Sequence, residues 1–346
     1  MTAEQDQTFC MEVELTPVGM TEVAVQAGVS VTTVSHVLSG RRPVAQSTRS
    51  RVLQVIEQLG YQPNTLARGL RTRRTMTVGL MVPDLTNPFY PMLLRGLGEV
   101  VVPAGYHVLV CNTDGTRDQE IAFLREMAAR PVDGVVIIAF QLARKDLLAH
   151  GRATPLVRLG GGPFDADLGD VVRTDDEGGM TQAVRHLLEQ GRRRVAYLGG
   201  VRHTGPSDLR EAGFRRAITE VGRVVDEDLV IRGDFTRDAG REAAEILLNR
   251  ADRPDAIACA NDLIAIGVLD VTRNLGLSVP GELAVTGYDD IDAASLVTPA
   301  LTTVVNPARQ VGRACGEALL RQLTTDEAEP RRELVIATSL VRRESA

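Results

Sequence analysis

The sequence predicts an all-α helix-turn-helix head followed by an α/β core of two lobes, each a parallel sheet flanked by helices. Short amphipathic helical patterns fill residues 20–59. From Thr77 onward, β-branched runs alternate with helical stretches, as in parallel α/β sheets. The alternation comes in two similar sets of about 100 to 130 residues, which is a normal domain size.

The head is predicted from the stretch Met20 to Leu38, which has the pattern of two short helices joined by a tight turn. Gly28 ends the first helix, whose apolar face comprises Val23, Ala24 and Ala27. Ser30 is the expected N-cap of the second helix, in which Val34 and Leu38 are predicted to turn inward. The outward side chains are the candidate readers of DNA bases, namely Ser30 at the cap, Val31, Thr32, Thr33 and His36. A third helix closes the small core with Val52, Val55, Ile56 and Leu59.

The charge of the chain is unevenly distributed. The formal net charge is -6, but residues 20–75 hold eight arginines and two glutamates, a net charge of +6. Residues 1–19 carry -4, and the remainder of the chain carries -8. A basic head on an acidic body concentrates DNA affinity at one end, because counterions are released only where arginines neutralise phosphates.

Composition excludes several classes of protein. With 44% hydrophobic and 24% charged residues, the chain is an ordinary globular protein with a sizeable core. Its four cysteines show no spacing typical of a zinc site or a disulfide framework, so no metal or cofactor is expected. The acidic, polar start is unlike a signal peptide, and no apolar run has transmembrane length. We expect a cytoplasmic protein associated with the bacterial nucleoid.

A set of motifs resembles one known family. AGVSVTTVSHVLSG, TRSRVLQVIEQLGYQPNTLARGLRTRRT and VGLMVPDLTNPFY, followed by LREAGF, CANDLIAIG, TGYDD and TPALTTV, are similar in order and spacing to the lactose/galactose-repressor family of bacterial transcription regulators. The segment VTTVSH is similar to the recognition helix of the family's purine repressors. The resemblance runs from about Met20 to the end of the chain, and it implies a core like that of periplasmic binding proteins.

Residues 1–18 have no periodic pattern and are predicted to be a disordered extension. Family members usually begin close to the first helix, so a later start codon at Met11 or Met20 is the alternative explanation. The resemblance implies three further segments: 19–62 is the helix-turn-helix domain, 63–75 a hinge helix with its linker, and 76–346 the effector-binding and dimerisation core. In the core, one subdomain comprises about 76–173 and 306–327, and the other about 174–305 and 328–346. The hinge helix is too short to be stable alone, so it needs DNA and a partner hinge to form. The expected DNA contacts of the hinge are Ala67, Leu70 and Arg71, and Arg42 is a further expected contact from the loop after the second helix. By resemblance Leu70 is the wedge between base steps; alternatively it is an ordinary core leucine.

The strands of the core are predicted from short β-branched runs. The first set comprises 77–82, 107–111 and 134–139, and the second comprises 195–198, 229–231, 256–259 and 283–286. A helix is predicted over 307–323 and a single further strand over 333–341. By resemblance, the chain crosses between the halves near Thr174, Val305 and Thr325, so that this helix joins the first half and this strand the second.

A ligand cleft is predicted between the two halves, because ligands bind at the carboxyl ends of parallel strands. The loops at those ends are rich in hydroxyl, amide and carboxylate groups, which suit the hydroxyls of a sugar. By resemblance, the effector contacts are Arg210, Asn261, Asp262 and Asp289, with Phe89 and Phe235 as stacking aromatics. Alternatively, Arg210 is a surface residue, Asp262 a helix N-cap, Asp289 a turn residue, and the phenylalanines belong to the core.

These features predict a sequence-specific transcriptional regulator, which we expect to be a repressor. It is predicted to bind a palindromic operator as a homodimer, under the control of a small effector such as a sugar or nucleoside-like metabolite. A two-lobed solute-binding receptor is the alternative, but it explains neither the head nor the missing export signal. An enzyme is not favoured, because no nucleophile elbow, phosphate loop or His/Asp constellation is present. The chain ends without a leucine-heptad tail, which favours a dimer over a tetramer.

Overall fold

The computed structural model describes residues 18–40, 42–61, 74–130, 132–151, 154–160, 168–200, 203, 205–324 and 330–346, with the backbone only for 149–151. The chain divides into two compact units, Met1–Thr75 and Met76–Ala346. Each unit has its own buried apolar cluster and is described by itself.

The described part of the first unit contains three helices: α1 (Met20–Ala27), α2 (Val31–Ser39) and α3 (Gln46–Leu59). Helix α1 ends at Gly28, whose left-handed φ of 62° is favourable for glycine. At its start, the backbone N–H of Gly19 donates to the Glu22 carboxylate at 2.7 Å, which satisfies one free N–H of the helix terminus. The predicted end of the first helix at Gly28 is therefore confirmed, whereas the second helix continues to Ser39, one residue beyond the predicted Leu38.

The core of the head is built from small aliphatic side chains. Val23, Ala24 and Ala27 of α1 are buried as predicted, and so are Val52 and Val55 of α3. The same buried cluster also contains Val34, Val37 and Tyr61. Leu38 packs against this cluster as predicted but is only half-buried, whereas Val37, which was not predicted, is 5% exposed. Positions i+3 and i+4 from Val34 therefore both face the core.

The second unit contains two six-stranded sheets. The first has the order β11-β5-β4-β3-β1-β2, and all of its strand pairs are parallel. Its strands are β1 (Thr77–Val82), β2 (His107–Asn112), β3 (Gly134–Ile137), β4 (Leu156–Leu159), β5 (Asp170–Thr174) and β11 (Glu333–Ile336). Its helices are α4 (Phe89–Val101), α5 (Arg117–Ala129), α6 (Arg144–Gly151) and α12 (Ala308–Thr324).

The second sheet has the order β12-β10-β9-β8-β6-β7 and is parallel except for the β10–β12 pair. Its strands are β6 (Val195–Gly200), β7 (Val230–Gly233), β8 (Ala256–Cys259), β9 (Ala284–Asp289), β10 (Thr302–Val305) and β12 (Ser339–Val341). The helices that accompany it are α7 (Asp176–Glu189), α8 (Ser207–Glu220), α9 (Arg237–Leu248), α10 (Asp262–Leu275) and α11 (Asp292–Leu296). The predicted fold class, a two-lobed α/β core, is thus confirmed.

The carboxyl-terminal strand prediction was wrong. One strand over 333–341 in the second half was expected, but β11 pairs with β5 of the first sheet and β12 pairs with β10 of the second. The last crossing between the lobes therefore lies between Ile336 and Ser339 rather than near Thr325. Two short strands replace one because the backbone of 333–336 pairs with the outer side of β5, whereas that of 339–341 pairs with the outer side of β10.

Helix α12 belongs to the first lobe, as the resemblance implied. Val311, Cys315 and Leu319 lie in the apolar cluster of that lobe. The helix approaches α4 so closely that a Cβ on Gly96 would overlap the carbonyl of Arg309, and one on Gly312 would overlap that of Leu93. No helix among the described residues is long and apolar enough to cross a bilayer.

Candidate functional site

The second helix of the head presents a small, mostly uncharged surface. Ser30 is its N-cap: the hydroxyl accepts from the backbone N–H of Thr33 at 3.1 Å and lies 2.9 Å from the Thr33 hydroxyl. These two side chains therefore stabilise the start of the helix. Val31 and Thr32 are exposed, and His36 is half-buried one turn further on. Val31, Thr32 and His36 take no part in this cap, and together with the two capping hydroxyls they remain candidates for contacts to base edges.

The basic side chains of the head that can be described are exposed. Arg42, Arg49 and Arg51 all extend into solvent, as expected of phosphate-binding residues. The predicted hinge contacts Ala67, Leu70 and Arg71 lie outside the described residues.

A cavity of about 490 Å³ lies between the two lobes of the core, at the carboxyl ends of their strands. Five of the six predicted effector residues line it: Phe89, Arg210, Phe235, Asn261 and Asp289. They come from both lobes and from positions as far apart as 89 and 289, so the fold brings together residues that are distant in sequence.

Arg210 lies at the floor of this cavity and is 4% exposed. Its guanidinium donates to Asp176 Oδ1 at 2.8 Å, to the Ala260 carbonyl at 2.5 Å and to Asp289 Oδ1 at 3.4 Å, and lies 3.8 Å above the ring centroid of Tyr288. Burial disfavours the charged guanidinium, but Asp176 and Asp289 outweigh that effect and raise the pKa of Arg210. The arginine is permanently charged, and three of its five N–H groups donate to the protein.

Asp289 ends β9 with an unusual backbone, since its φ of 108° lies in a region that side chains other than glycine rarely adopt. Its Oδ1 accepts from Asn306 Nδ2 at 3.0 Å as well as from Arg210. Burial raises the pKa of this carboxyl to about 6, although Arg210 and Asn306 stabilise the anion. Among the described residues, Oδ2 has no hydrogen-bond partner, so one carboxylate oxygen is available to a ligand.

Asn261 is the N-cap of α10, with Oδ1 accepting from the Ile264 N–H at 2.8 Å. Its Nδ2 donates to the Phe235 carbonyl at 2.9 Å. The amide therefore holds the loop that carries Phe235 against the start of α10.

Asp262 was expected to contact the effector, or alternatively to cap α10, and the structure places it in neither position. The residue is fully buried below the cavity lining, and the cap is Asn261. Its carboxylate accepts from the Ile291 N–H at 2.8 Å and from the Thr303 hydroxyl at 2.5 Å. Burial, together with nearby Asp289, raises the pKa of Asp262 well above its usual value. Its contacts organise the loop after β9.

Several lining residues were not selected from the sequence. They are the aromatic residues Tyr90 and Phe140, the acids Asp84, Asp114, Asp176 and Asp234, and the amides Asn87 and Asn306. All follow or lie near the carboxyl end of a strand. The rule that ligands bind at the carboxyl ends of parallel strands could therefore have selected them. Most stand in the loops PDLTNPFY, CNTDG and GDFTRD, which were recognised as loops of the cleft but not assigned residue by residue.

Comparison with known proteins identifies the family. The model for bacterial regulatory proteins of the lacI family matches residues 19–64, and that for the periplasmic binding protein-like domain matches residues 184–346. The HTH-type transcriptional repressor PurR of Photobacterium profundum is 35% identical over 328 residues, which cover 94% of this chain and 97% of that protein. The chain belongs to the lacI family of bacterial regulatory proteins.

Solved structures agree with this lacI-family assignment. A transcriptional regulator CelR–cellobiose complex is 34% identical with a TM-score of 0.71, and the match covers 95% of this chain and all (100%) of that one. The lac repressor dimer bound to operator and the anti-inducer ONPF is 25% identical with a TM-score of 0.85, covering 95% and 99% of the two chains. This lacI-family chain is a DNA-binding transcriptional repressor with an effector-binding core, and it is not an enzyme.

Proposed function

We propose that this repressor is controlled by an uncharged, polyhydroxylated effector of the sugar class, bound by Phe89, Arg210, Phe235, Asn261 and Asp289. The observation that carries the proposal is the charge of the cavity. Its lining contains five carboxylates, and Arg210 is its only cation among the described residues. Because Asp176 and Asp289 already pair with that arginine, no cation is left for a phosphate or carboxylate on the ligand.

The other lining groups suit a neutral sugar. Carboxylates accept hydrogen bonds from hydroxyl groups, and the free Oδ2 of Asp289 is one such acceptor. Phe89, Phe140 and Phe235 offer aromatic surfaces for the C–H faces of a sugar ring. The bound cellobiose of the related CelR complex supports this ligand class for a cavity of the same fold.

We further propose that the protein acts as a homodimer on a palindromic operator, in the cytoplasm and at the nucleoid. A two-fold symmetric dimer presents two heads to two half-sites, which matches operator symmetry to protein symmetry. The related lac repressor, which binds its operator as a dimer, supports this arrangement. Effector and operator would then be linked reciprocally, by a coupling of about 1 to 3 kcal/mol.

A panel of matched ligands tests the effector class. Thermal shift and calorimetry would compare glucose, ribose and cellobiose with glucose 6-phosphate, glucosamine and the bases adenine and guanine. We expect a neutral sugar to raise the melting temperature, because a ligand of the native state stabilises it by mass action. Glucose 6-phosphate should bind more weakly than glucose. Tightest binding by a phosphorylated sugar, by glucosamine or by a purine base would overturn the proposed class.

His36→Ala tests the reading of DNA sequence. We expect the variant to lose preference for the operator over random duplex, by about 1 to 3 kcal/mol, because one base-edge contact is removed. The salt dependence of binding should stay nearly unchanged, since no phosphate contact is lost. The matched variant Arg42→Ala should do the reverse, weakening binding to all sequences and reducing the salt slope. Equal weakening on every sequence by His36→Ala would contradict its role as a reader.

The pKa of Asp289 predicts a pH dependence of effector binding. In the free protein this carboxyl takes up a proton as the pH falls through about 6. A hydroxyl that donates to the carboxylate must displace that proton, so affinity should fall at lower pH by at most about tenfold per unit. Titration calorimetry from about pH 7.5 to about pH 5, with the sugar that gives the largest thermal shift, measures this slope. In Asp289→Asn the slope should vanish and affinity should be low throughout; an unchanged slope would assign the titration to another group.

A further inference from the structure

The loop after β3 carries an aromatic side chain that touches the opposite lobe. Phe140 lines the cavity from the first lobe, and its ring centroid lies 6.1 Å from that of Phe235 in the second, with the ring planes inclined at 56°. The ring also packs directly on Gly205, where an added Cβ would overlap it. Phe140 therefore contacts two separate loops of the second lobe, at the ligand cavity.

The backbone of this loop is fastened by a buried acid. Glu120 of α5 is fully buried, and its two carboxylate oxygens accept from the N–H groups of Phe140 at 2.6 Å and Gln141 at 2.9 Å. Arg117 donates to the Gln141 carbonyl at 3.0 Å and to Asp146 at 2.8 Å. A buried carboxylate is costly unless hydrogen-bonded, so the bonds to the loop account for the position of Glu120.

We propose that Glu120 and Phe140 are positioning residues of the effector cavity: Glu120 fixes the loop, and the Phe140 ring, packed on Gly205 and Phe235, holds the two lobes at ligand-binding spacing. This inference depends on the proposed function in one respect: it assumes that the effector binds in this cavity. The contact between two aromatic rings changes an equilibrium constant by about two- to tenfold. That is enough to shift the populations of two lobe arrangements that are close in stability.

Lobe spacing can be measured without any effector. Spin labels would be attached through Arg125→Cys on α5 and Glu242→Cys on α9, both exposed, in a Cys10→Ser and Cys111→Ser background. Labelled chains would be diluted with an excess of unlabelled chain, so that distances within one chain dominate the double electron–electron resonance signal. We expect Phe140→Ala to broaden the distance distribution and to shift it to longer distances. Phe140→Tyr, which keeps an aromatic ring, should give the wild-type distribution. The control Val224→Ala, at an exposed residue, should leave the distribution unchanged.

A substitution at Gly205, the residue on which the Phe140 ring packs, provides an independent variant. The methyl group of Gly205→Ala would meet the Phe140 ring, so this change should lengthen the distance in the wild-type background. Combined with Phe140→Ala it should add little to the distance between the lobes, because the ring that it meets is absent and only the local strain of alanine at a φ of 50° remains. A distance distribution that stays unchanged in both single variants would overturn the role of Phe140.

Hydrogen exchange tests Glu120 separately. Glutamine offers one acceptor oxygen where the carboxylate has two, so Glu120→Gln should accelerate amide exchange at Phe140 and Gln141 at least several-fold. Glu126→Gln, on an exposed part of the same helix, is the matched control and should have no effect there. Unchanged exchange in Glu120→Gln would overturn its role.

Ligand binding then separates the two proposals. If glucose, ribose or cellobiose binds the wild type, Phe140→Ala should weaken that binding by about tenfold or less, and Phe140→Tyr should restore it. Undiminished affinity in Phe140→Ala would overturn the inference. If none of these sugars binds, the proposed effector class fails, while the distance and exchange measurements still decide the roles of Phe140 and Glu120.

Discussion

Arg210→Met is expected to lower the free energy of unfolding of the core by about 3 to 5 kcal/mol and to abolish effector binding. Methionine has no positive charge, so the buried carboxylates of Asp176 and Asp289 lose the ion pairs that they form with Arg210. It also removes the hydrogen bond to Ala260 and the stacking on Tyr288. Urea unfolding followed by circular dichroism measures the loss of stability, and calorimetry with the best-binding sugar measures the loss of affinity.

The control for this prediction lies on the same helix. Arg216 of α8 is more than half exposed and pairs with Glu220 and Glu177 at the surface. Arg216→Met should therefore cost less than about 1 kcal/mol and leave effector binding intact. Equal costs for the two variants would mean that the buried pairs around Arg210 contribute no more than a surface ion pair.

Val34→Asp is expected to abolish operator binding. Val34 is fully buried in the three-helix core of the head, and a carboxylate there has no partner to compensate for its burial. Burial of this carboxylate is expected to cost more than about 4 kcal/mol, which exceeds what so small a core can tolerate. The head should therefore unfold. Fluorescence anisotropy with an operator fragment should show a loss of at least about a hundredfold, while the thermal transition of the core, which has its own apolar clusters, should be retained.

Val25→Asp provides the comparison for the head. Val25 is 77% exposed on α1, so a carboxylate at this position remains hydrated. The variant should keep a folded head with helical circular dichroism close to that of the wild type. If the operator affinity of Val34→Asp instead equals that of Val25→Asp, the buried cluster is not what holds α2 in its position for DNA binding.

The sequence predicted best those features that depend on near neighbours. The capping of α2 by Ser30 needs only the N–H three residues later, and β1 at 77–82 and β8 at 256–259 each form from one apolar run. Asn261 and Asp262 show the limit of such reasoning, because either side chain suits an N-cap. Only the tertiary structure, which buries Asp262 against Thr303, determines which of the two caps the helix.

Features that depend on distant partners could not be obtained in the same way. The run 333–341 is rich in apolar and β-branched residues like a strand, but nothing in it indicates that its two ends join different sheets. Phe140 likewise follows a correctly predicted strand, yet its contact with Phe235 and Gly205 requires the two lobes to be placed against each other. Sequence reasoning therefore found the elements of the cavity and five of its residues, but not the contact that spans it.

The last two strands have a consequence for biosynthesis. Since β11 completes the first sheet and β12 the second, neither sheet has all of its strands until residues 333–341 have been translated. A ribosome that has released residues up to 330 exposes two sheets that each lack an edge strand. Nascent chains are therefore exposed to aggregation until residues 333–341 have left the ribosome, and a stop codon before residue 333 should yield fragments that chaperones and proteases clear.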